Sequence, residues 1–233
     1  MTTEIVRYTL EDRIAIATMD DGKANALSVA MIDALLGALD RADKEASAVV
    51  LAGRPEKFCA GFDLKVMMAG PEQATALLRR GSELLMKLYG FPLPLVIACT
   101  GHALAGGALV LLTGDRRIGS AGAFRIGLNE VSIGLPVPVL AMELARDRIK
   151  KLELPRATLE ATIYSPEDAA KVGYLDEVVA PAELMARAKA EAARLGAFSR
   201  FPYSATKKRL RGRTIDHVMA TLDEDMKTIM SGA

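Results

Sequence analysis

Apolar positions in the first third of the chain follow two different periods, which together predict alternating strands and helices. Residues 5–10 and 14–19 alternate apolar and polar positions around a short polar turn, as is typical of a β-hairpin. Ser28 is a good N-cap residue, and the apolar residues after it recur at helical spacing. Pro71 predicts the start of a second helix, which runs to about Tyr89.

Residues 94–115 form a long apolar stretch that predicts a buried strand, a glycine turn and a helix. Gly106 and Gly107 fall where this helix begins, so a ligand can approach N–H groups that have no partner within the helix. Such a helix end favours a partial negative charge. We interpret the turn as half of an oxyanion hole, with close packing as the alternative use of its glycines. A membrane span is not expected, because Thr100, His102 and four glycines interrupt the run.

The rest of the chain continues the alternation and predicts an α/β domain with an all-helical C-terminal end. Further strands are predicted at 48–52, 116–119, 123–126 and 178–179, a loop at 58–64, and helices at 139–152, from Ser165 to Gly173, at 181–195 and within 205–230.

Composition narrows the class of protein. The chain has 233 residues, of which 51% are hydrophobic and 25% charged, which is ordinary for a globular domain. A net charge of +1 provides no general attraction to nucleic acid or to an anionic membrane, so neither partner is expected. Cys59 and Cys99 have no metal-ligand spacing, and the first residues show no signal-peptide pattern. We therefore expect a cytoplasmic protein without a metal site.

Three segments carry motifs in a fixed order. Residues 59–64 are Cys-Ala-Gly-Phe-Asp-Leu, residues 101–108 are Gly-His-Ala-Leu-Ala-Gly-Gly-Ala, and residues 128–136 are Leu-Asn-Glu-Val-Ser-Ile-Gly-Leu-Pro. They resemble the Ser/Cys-Ala-Gly-x-Asp-Leu loop, the Gly-x-Ala-x-Gly-Gly-Gly turn and the Pro-Glu-Val-x-Leu-Gly-x-x-Pro segment of the crotonase superfamily, the enoyl-CoA hydratase/isomerase family. Weaker matches at 23–27 and 165–179 extend the resemblance over nearly the whole chain.

The resemblance implies a fold and an assembly. Residues 1–195 would form a crotonase-type spiral of repeated β-β-α turns with an acyl-CoA site, within the α/β class. Residues 196–233 would form a C-terminal helical region used in assembly, as a homotrimer or a dimer of trimers.

The resemblance also implies roles for single residues. The backbone N–H groups of Phe62 and Gly106 would bind the thioester oxygen, which becomes negative as a proton leaves the neighbouring carbon. Each such donor is worth about 2.7–4 kcal/mol. Coenzyme A, as part of the substrate and not a separate cofactor, would lie along Lys23, Ala24, Ala26, Ala60, Asp63, Leu64 and Lys65.

Glu130 is the candidate acid/base, because an apolar pocket raises the pKa of a carboxyl group toward the range useful for proton transfer. Hydratases of the family carry a second glutamate where this chain has Leu109. One carboxyl group can still take a proton from C2 and return it to C4. The sequence therefore favours isomerisation of 3-enoyl-CoA to 2-enoyl-CoA, with hydration of 2-enoyl-CoA and non-catalytic acyl-CoA binding as the alternatives.

Other residues carry weaker signals. Residues 137–143 depart from the family pattern and reshape the acyl pocket, although Glu143 is better explained as part of a solvated helix face. His102 is better explained as a structural residue than as a ligand, and the two cysteines as packing residues. Lys207 or Lys208 would reach CoA phosphate by resemblance, with a plain solvated face as the equal alternative.

Overall fold

The computed structural model describes the backbone of residues 4–231 and the side chains of residues 4–229. The predicted regions 1–195 and 196–233 therefore extend beyond the described residues at 1–3 and 232–233. A six-stranded sheet has the order β1-β2-β3-β5-β7-β9. Only the β1–β2 pair is antiparallel among these neighbours, which confirms the predicted hairpin. Its strands are β1 (Val6–Glu11), β2 (Ile14–Met19), β3 (Ala48–Ala52), β5 (Leu95–Cys99), β7 (Arg116–Ser120) and β9 (Glu177–Val179).

A second, three-stranded parallel sheet consists of β4 (Glu56–Cys59), β6 (Gly101–Leu104) and β8 (Ile126–Gly127). Strands β3, β5 and β7 of the large sheet are each followed by one strand of the small sheet and then by helix. This succession is the repeated β-β-α turn of the crotonase fold. The sequence prediction placed loop or turn at β4 and β6, because four-residue strands are too short to show a period.

The helices largely follow the predicted pattern. Ser28 caps α1 through the Met31 N–H, and Gly173 ends α7 in the left-handed region at φ 113°. The predicted helix at 139–152 is wrong in its last turn, because the backbone is extended at Ile149 and the Lys150 N–H donates to Val172. The helices are α1 (Val29–Glu45), α2 (Leu64–Met67), α3 (Pro71–Tyr89), α4 (Gly106–Thr113), α5 (Val139–Arg148), α6 (Leu154–Thr158), α7 (Pro166–Val172), α8 (Leu184–Gly196) and α9 (Arg200–Ser231).

A buried ionic cluster anchors α9 to the core. The Lys207 ammonium binds the Asp115 carboxylate and the carbonyl oxygens of Phe91 and Leu93, while Arg211 pairs with the other oxygen of Asp115. Burial lowers the pKa of Lys207, and the Asp115 charge opposes this effect. The expectation that Lys207 reaches CoA phosphate is therefore wrong for this residue, whose ammonium group is fully used inside the protein.

From this anchor α9 packs against α3 and α5. The division of the chain at residue 195 stays a prediction. Among the helices described, none is long and apolar enough to cross a membrane.

Candidate active site

The first part of the site is the loop that follows β4. The Leu27 N–H donates to the Gly61 carbonyl at 2.8 Å, and the Asp63 N–H donates to the Leu27 carbonyl at 3.3 Å. These two hydrogen bonds form an isolated parallel β-bridge between Leu27 and Phe62. Because alternate peptide groups of a strand point to opposite sides, the N–H of Phe62 points away from Leu27 and is free for another acceptor.

The second part is the start of α4. Ala105 precedes this helix with a φ of 48°, a conformation that costs energy for a residue with a Cβ atom. It is held there because its N–H donates to Gly127 and its carbonyl accepts from Leu109. Gly106 is the first helical residue, so its N–H has no partner within the helix.

The two parts are in contact. A Cβ atom at Gly61 would lie 3.1 Å from the amide nitrogen of Gly106, and a Cβ atom at Gly107 would overlap the Cys59 carbonyl. Within residues 4–231, neither the Phe62 N–H nor the Gly106 N–H donates a hydrogen bond. Glycine at these positions therefore lets the two segments that carry these unused amide donors approach closely; an oxyanion hole requires two such donors directed at one oxygen atom.

Phe62 and Gly106, the residues that carry these amides, both line an apolar cavity of about 620 Å³. Among the described residues that line it, Glu130 is the only one with an ionisable side chain. The lining residues are Ala60, Phe62, Leu64, Met67, Met68, Gly70, Pro71, Ala74, Leu78, Leu104, Ala105, Gly106, Leu109, Asn129, Glu130, Ile133, Leu135, Pro136, Pro138 and Ile229.

Glu130 lies on the turn after β8 and is only 7% exposed. Its backbone carbonyl accepts from the N–H groups of Ile133 and Leu135, and this tight turn fixes the residue. Its side-chain Oε2 is buried without a hydrogen-bond partner in the part of the chain described. Burial raises the pKa of Glu130, while nearby backbone N–H groups act in the opposite direction. The group can therefore exchange a proton closer to neutral pH than an exposed glutamate can.

Leu109 lines the same cavity and is 3% exposed. An isobutyl group thus occupies the place where the family resemblance puts the second carboxyl group of a hydratase. Glu143 is not part of the cavity lining and pairs instead with Arg146. Glu143 therefore adds no second acid to the cavity, although its side chain is only 20% exposed and does not lie on the solvated helix face that was predicted.

The residues expected along CoA come together beside the amide pair. The Ala60 N–H donates to the Ala24 carbonyl at 3.0 Å, so the two alanine backbones are neighbours. The Ala26 carbonyl accepts from Ser28 at the start of α1. Asn25 fixes this loop: it is fully buried, and its side-chain amide donates to the Met19, Lys57 and Phe58 carbonyls.

Of the other expected CoA residues, Leu64 is among the residues that line the cavity, whereas Lys23, Asp63 and Lys65 are not. Asp63 caps α2 by accepting from the Lys65 N–H, and Leu64 lines the cavity with 66% of its surface exposed. Lys23 and Lys65 are exposed. The structure thus places two lysines where an anionic ligand can approach from solvent.

Sequence reasoning missed the far side of the cavity. Its lining includes Met67 of α2, Leu78 of α3, Ile229 of α9 and Met68, which follows α2, and in sequence each is an ordinary apolar residue. The one signal in the sequence was that the segments of α2 and of the end of α9 contain more apolar residues than packing against the sheet requires.

Several polar or reactive residues have structural roles. His102 accepts from the Arg125 N–H through Nδ1 and packs edge-on against Phe124. Cys59 and Cys99 are fully buried, which raises the pKa of each thiol to about 12 and leaves them unreactive. No three His, Cys, Asp or Glu side chains among residues 4–231 are grouped as a metal-ion site.

Comparison with known proteins gives concordant results. Residues 9–231 match the sequence profile of the family described as enoyl-CoA hydratase/isomerase. An enoyl-CoA hydratase/isomerase family protein from Pseudomonas syringae is 39% identical with a TM-score of 0.95, over 98% of this chain and 100% of that chain.

Two other relatives have different names. Human mitochondrial delta3-delta2-enoyl-CoA isomerase is 28% identical with a TM-score of 0.93, over 97% of this chain and 91% of that one. A probable enoyl-CoA hydratase of Rhodobacter capsulatus is 31% identical over 211 residues, which are 89% of this chain and 81% of that protein. Both activities are therefore represented among the relatives.

Proposed function

The chain belongs to the enoyl-CoA hydratase/isomerase family, and we propose that it is an isomerase that converts 3-enoyl-CoA thioesters to 2-enoyl-CoA thioesters. The proposal rests on one observation: among the described residues of the cavity lining, Glu130 is the only ionisable one. A single carboxyl group is sufficient for moving a proton. Hydration places a further demand on the site, because water must be activated while the proton at the α-carbon is also managed.

The proposed reaction has two proton transfers. The Glu130 carboxylate takes a proton from C2, the electron pair of that C–H bond moves into the thioester, and the oxygen becomes negative. The N–H groups of Phe62 and Gly106 stabilise this charge. The carboxylic acid then returns the proton to C4, the double bond moves from C3–C4 to C2–C3, and the carboxylate is regenerated.

Burial of Glu130 supports its part in both steps. Because its pKa is raised, the Glu130 carboxylate is a stronger base toward the C2 proton than a solvated glutamate is. For the same reason the carboxylic acid keeps this proton until it is transferred to C4. The apolar cavity also strengthens the interaction of the enolate oxygen with the two amides, because water does not screen it.

The CoA part of the substrate is proposed to lie along Lys23, Ala24, Ala26, Ala60, Asp63, Leu64 and Lys65. The exposed ammonium groups of Lys23 and Lys65 fit the CoA phosphates, and the alanine backbones fit an adenine or pantetheine group at close range. The enzyme needs no cofactor beyond the CoA of its substrate under this proposal. We also propose that the protein assembles as a homotrimer or a dimer of trimers and that it is cytoplasmic.

The test offers the purified protein 3-enoyl-CoA and, separately, 2-enoyl-CoA. We expect conversion of the 3-enoyl ester to the 2-enoyl ester, with much slower formation of the 3-hydroxyacyl ester from the 2-enoyl substrate. Fast hydration would establish the hydratase instead. Binding of both esters without turnover of either would establish a non-catalytic acyl-CoA-binding protein.

A further inference from the structure

The end of α9 forms one wall of the cavity through a small apolar cluster of its own. Leu222, Met226 and Ile229 of α9 are buried against Leu78 of α3, and this cluster is separate from the main core. Phe62, which provides one of the two amides, packs against it from the cavity side. Ile229 and Leu78 themselves line the cavity. The last turns of α9 therefore pack directly beside the cavity.

A carboxylate of α9 connects this wall to the opposite one. Oδ2 of Asp225 accepts the Val139 N–H at 2.8 Å. Val139 is the first residue of α5, and Pro138 before it supplies no capping side chain, so Asp225 provides the cap from α9. The segment just before this amide contributes Pro136 and Pro138 to the cavity. This hydrogen bond thus joins α9 to the segment that carries Pro136 and Pro138, in addition to the packing of α9 against α5.

The neighbouring ion pair is a weaker tether. Arg79 of α3 pairs with Asp223 of α9, and the side chains are 47% and 70% exposed. Water and salt screen such a pair, and it contributes little to holding the helix in place. Asp225 is half-buried and is therefore the less screened of these two contacts, and Ile229 lies one helical turn further along α9.

Building on the proposed function, we propose that Ile229 ends the acyl pocket and sets the longest straight acyl chain that binds, and that Asp225 is a positioning residue for this end wall. The substrate class follows from the chemistry of the wall. Leu78, Met67 and Ile229 offer no hydrogen-bonding partner, so an unsubstituted hydrocarbon tail fits and a polar or charged tail does not.

The test measures binding, so that it does not depend on turnover. Dissociation constants of butyryl-, hexanoyl-, octanoyl-, decanoyl- and dodecanoyl-CoA are measured by calorimetry for each variant. Each methylene group that enters the cavity is expected to lower Kd by about fourfold. The chain length at which this gain stops is the length limit of that variant.

Ile229 is tested in both directions. Ile229→Ala is expected to move the limit to a longer chain and to tighten binding of the next ester by about 15-fold, because two more methylene groups enter. Ile229→Phe is expected to move it to a shorter chain. Met219→Ala is the matched control, because Met219 lies on the same helix and is 43% exposed. An unchanged limit in both Ile229 variants, with folding verified by circular dichroism, would overturn the proposal.

Asp225 is tested by rescue. Asp225→Asn keeps an oxygen that can accept from Val139 and should keep the limit, whereas Asp225→Ala should move the limit to a longer chain, as Ile229→Ala does. A merely structural role would lower the unfolding temperature of Asp225→Ala without moving the limit, and that result would refute the positioning role. Absence of 3-enoyl-CoA turnover in the wild-type protein would count only against the proposed isomerase.

Discussion

The two ends of the cavity are built in different ways. At the amide end, backbone packs against backbone: a Cβ atom at Gly61 would lie 3.1 Å from the Gly106 nitrogen, and a Cβ atom at Gly107 would overlap the Cys59 carbonyl. At the acyl end, side chains meet side chains: Leu78 and Ile229 form part of a small apolar cluster. The first end depends on fixed peptide geometry, and the second on side-chain volume.

This difference separates chemistry from substrate choice. Backbone donors serve any thioester, because the reacting carbonyl is the same in all of them, so the amide end has no reason to vary. Apolar side chains can be exchanged for others of similar volume at a typical cost below about 1.5 kcal/mol. We therefore expect mutations at the amide end to damage the protein, and mutations at the acyl end to change which ester it prefers.

The sharpest contrast compares two glycines. Gly107→Ala is expected to destabilise the protein by more than about 3 kcal/mol, because the new Cβ atom overlaps the Cys59 backbone, which is part of β4 and cannot move aside. Gly37→Ala is the control: nothing lies within 4 Å of its Cβ position in α1, so it should stabilise by about 0.5–1 kcal/mol. Urea unfolding measures both, and equal effects would end the contrast between the two glycines.

Leu109→Glu should bring hydration to the site. A second carboxyl group in the apolar cavity raises the pKa of one member of the pair, which leaves one acid and one base available for water and the α-proton. Hydration of 2-enoyl-CoA is expected to rise by about 10²-fold, the low end of what an added acid/base group supplies.

Leu109→Gln serves as the control, since it adds polarity and similar volume without a titrating group. If it hydrates 2-enoyl-CoA as fast as Leu109→Glu does, a second carboxyl group is not what the site lacks.

A smaller effect is expected on stability. Because burial raises the folded-state pKa of Glu130, ionisation of this group costs more in the folded than in the unfolded protein. The wild type should therefore lose stability relative to Glu130→Gln as pH rises through the ionisation range of glutamate. The unfolding temperature of the wild type minus that of Glu130→Gln is measured from about pH 4 to about pH 8 and should decrease as pH rises. A difference that stays constant or increases would show that burial does not destabilise the Glu130 carboxylate.

How much the sequence could predict depended on the range of the interactions. The N-cap at Ser28 and the C-cap at Gly173 depend on neighbouring residues only, so the local sequence was sufficient to predict the start of α1 and the end of α7. The meeting of Phe62 with Gly106 is not local, and it was expected only because the loop and turn motifs resembled those of a known family.

The acyl end could not be predicted in this way. Ile229 lies on the opposite half of the chain from Met67, and no local pattern says that α9 folds back over α3. Lys207 shows the same limit: as one of a run of basic residues it read as a solvated or phosphate-binding group, and only the fold shows that Asp115 and two carbonyls surround it.

The central claim is that one carboxyl group performs the chemistry, and Glu130→Gln tests it most directly. With 3-enoyl-CoA as substrate, kcat should fall by about 10²–10⁴-fold, because the amide cannot take the C2 proton. The Kd of octanoyl-CoA should stay within about threefold of the wild type, since the cavity and the amide pair are unchanged. An enzyme that keeps its full kcat after this substitution would contradict the account.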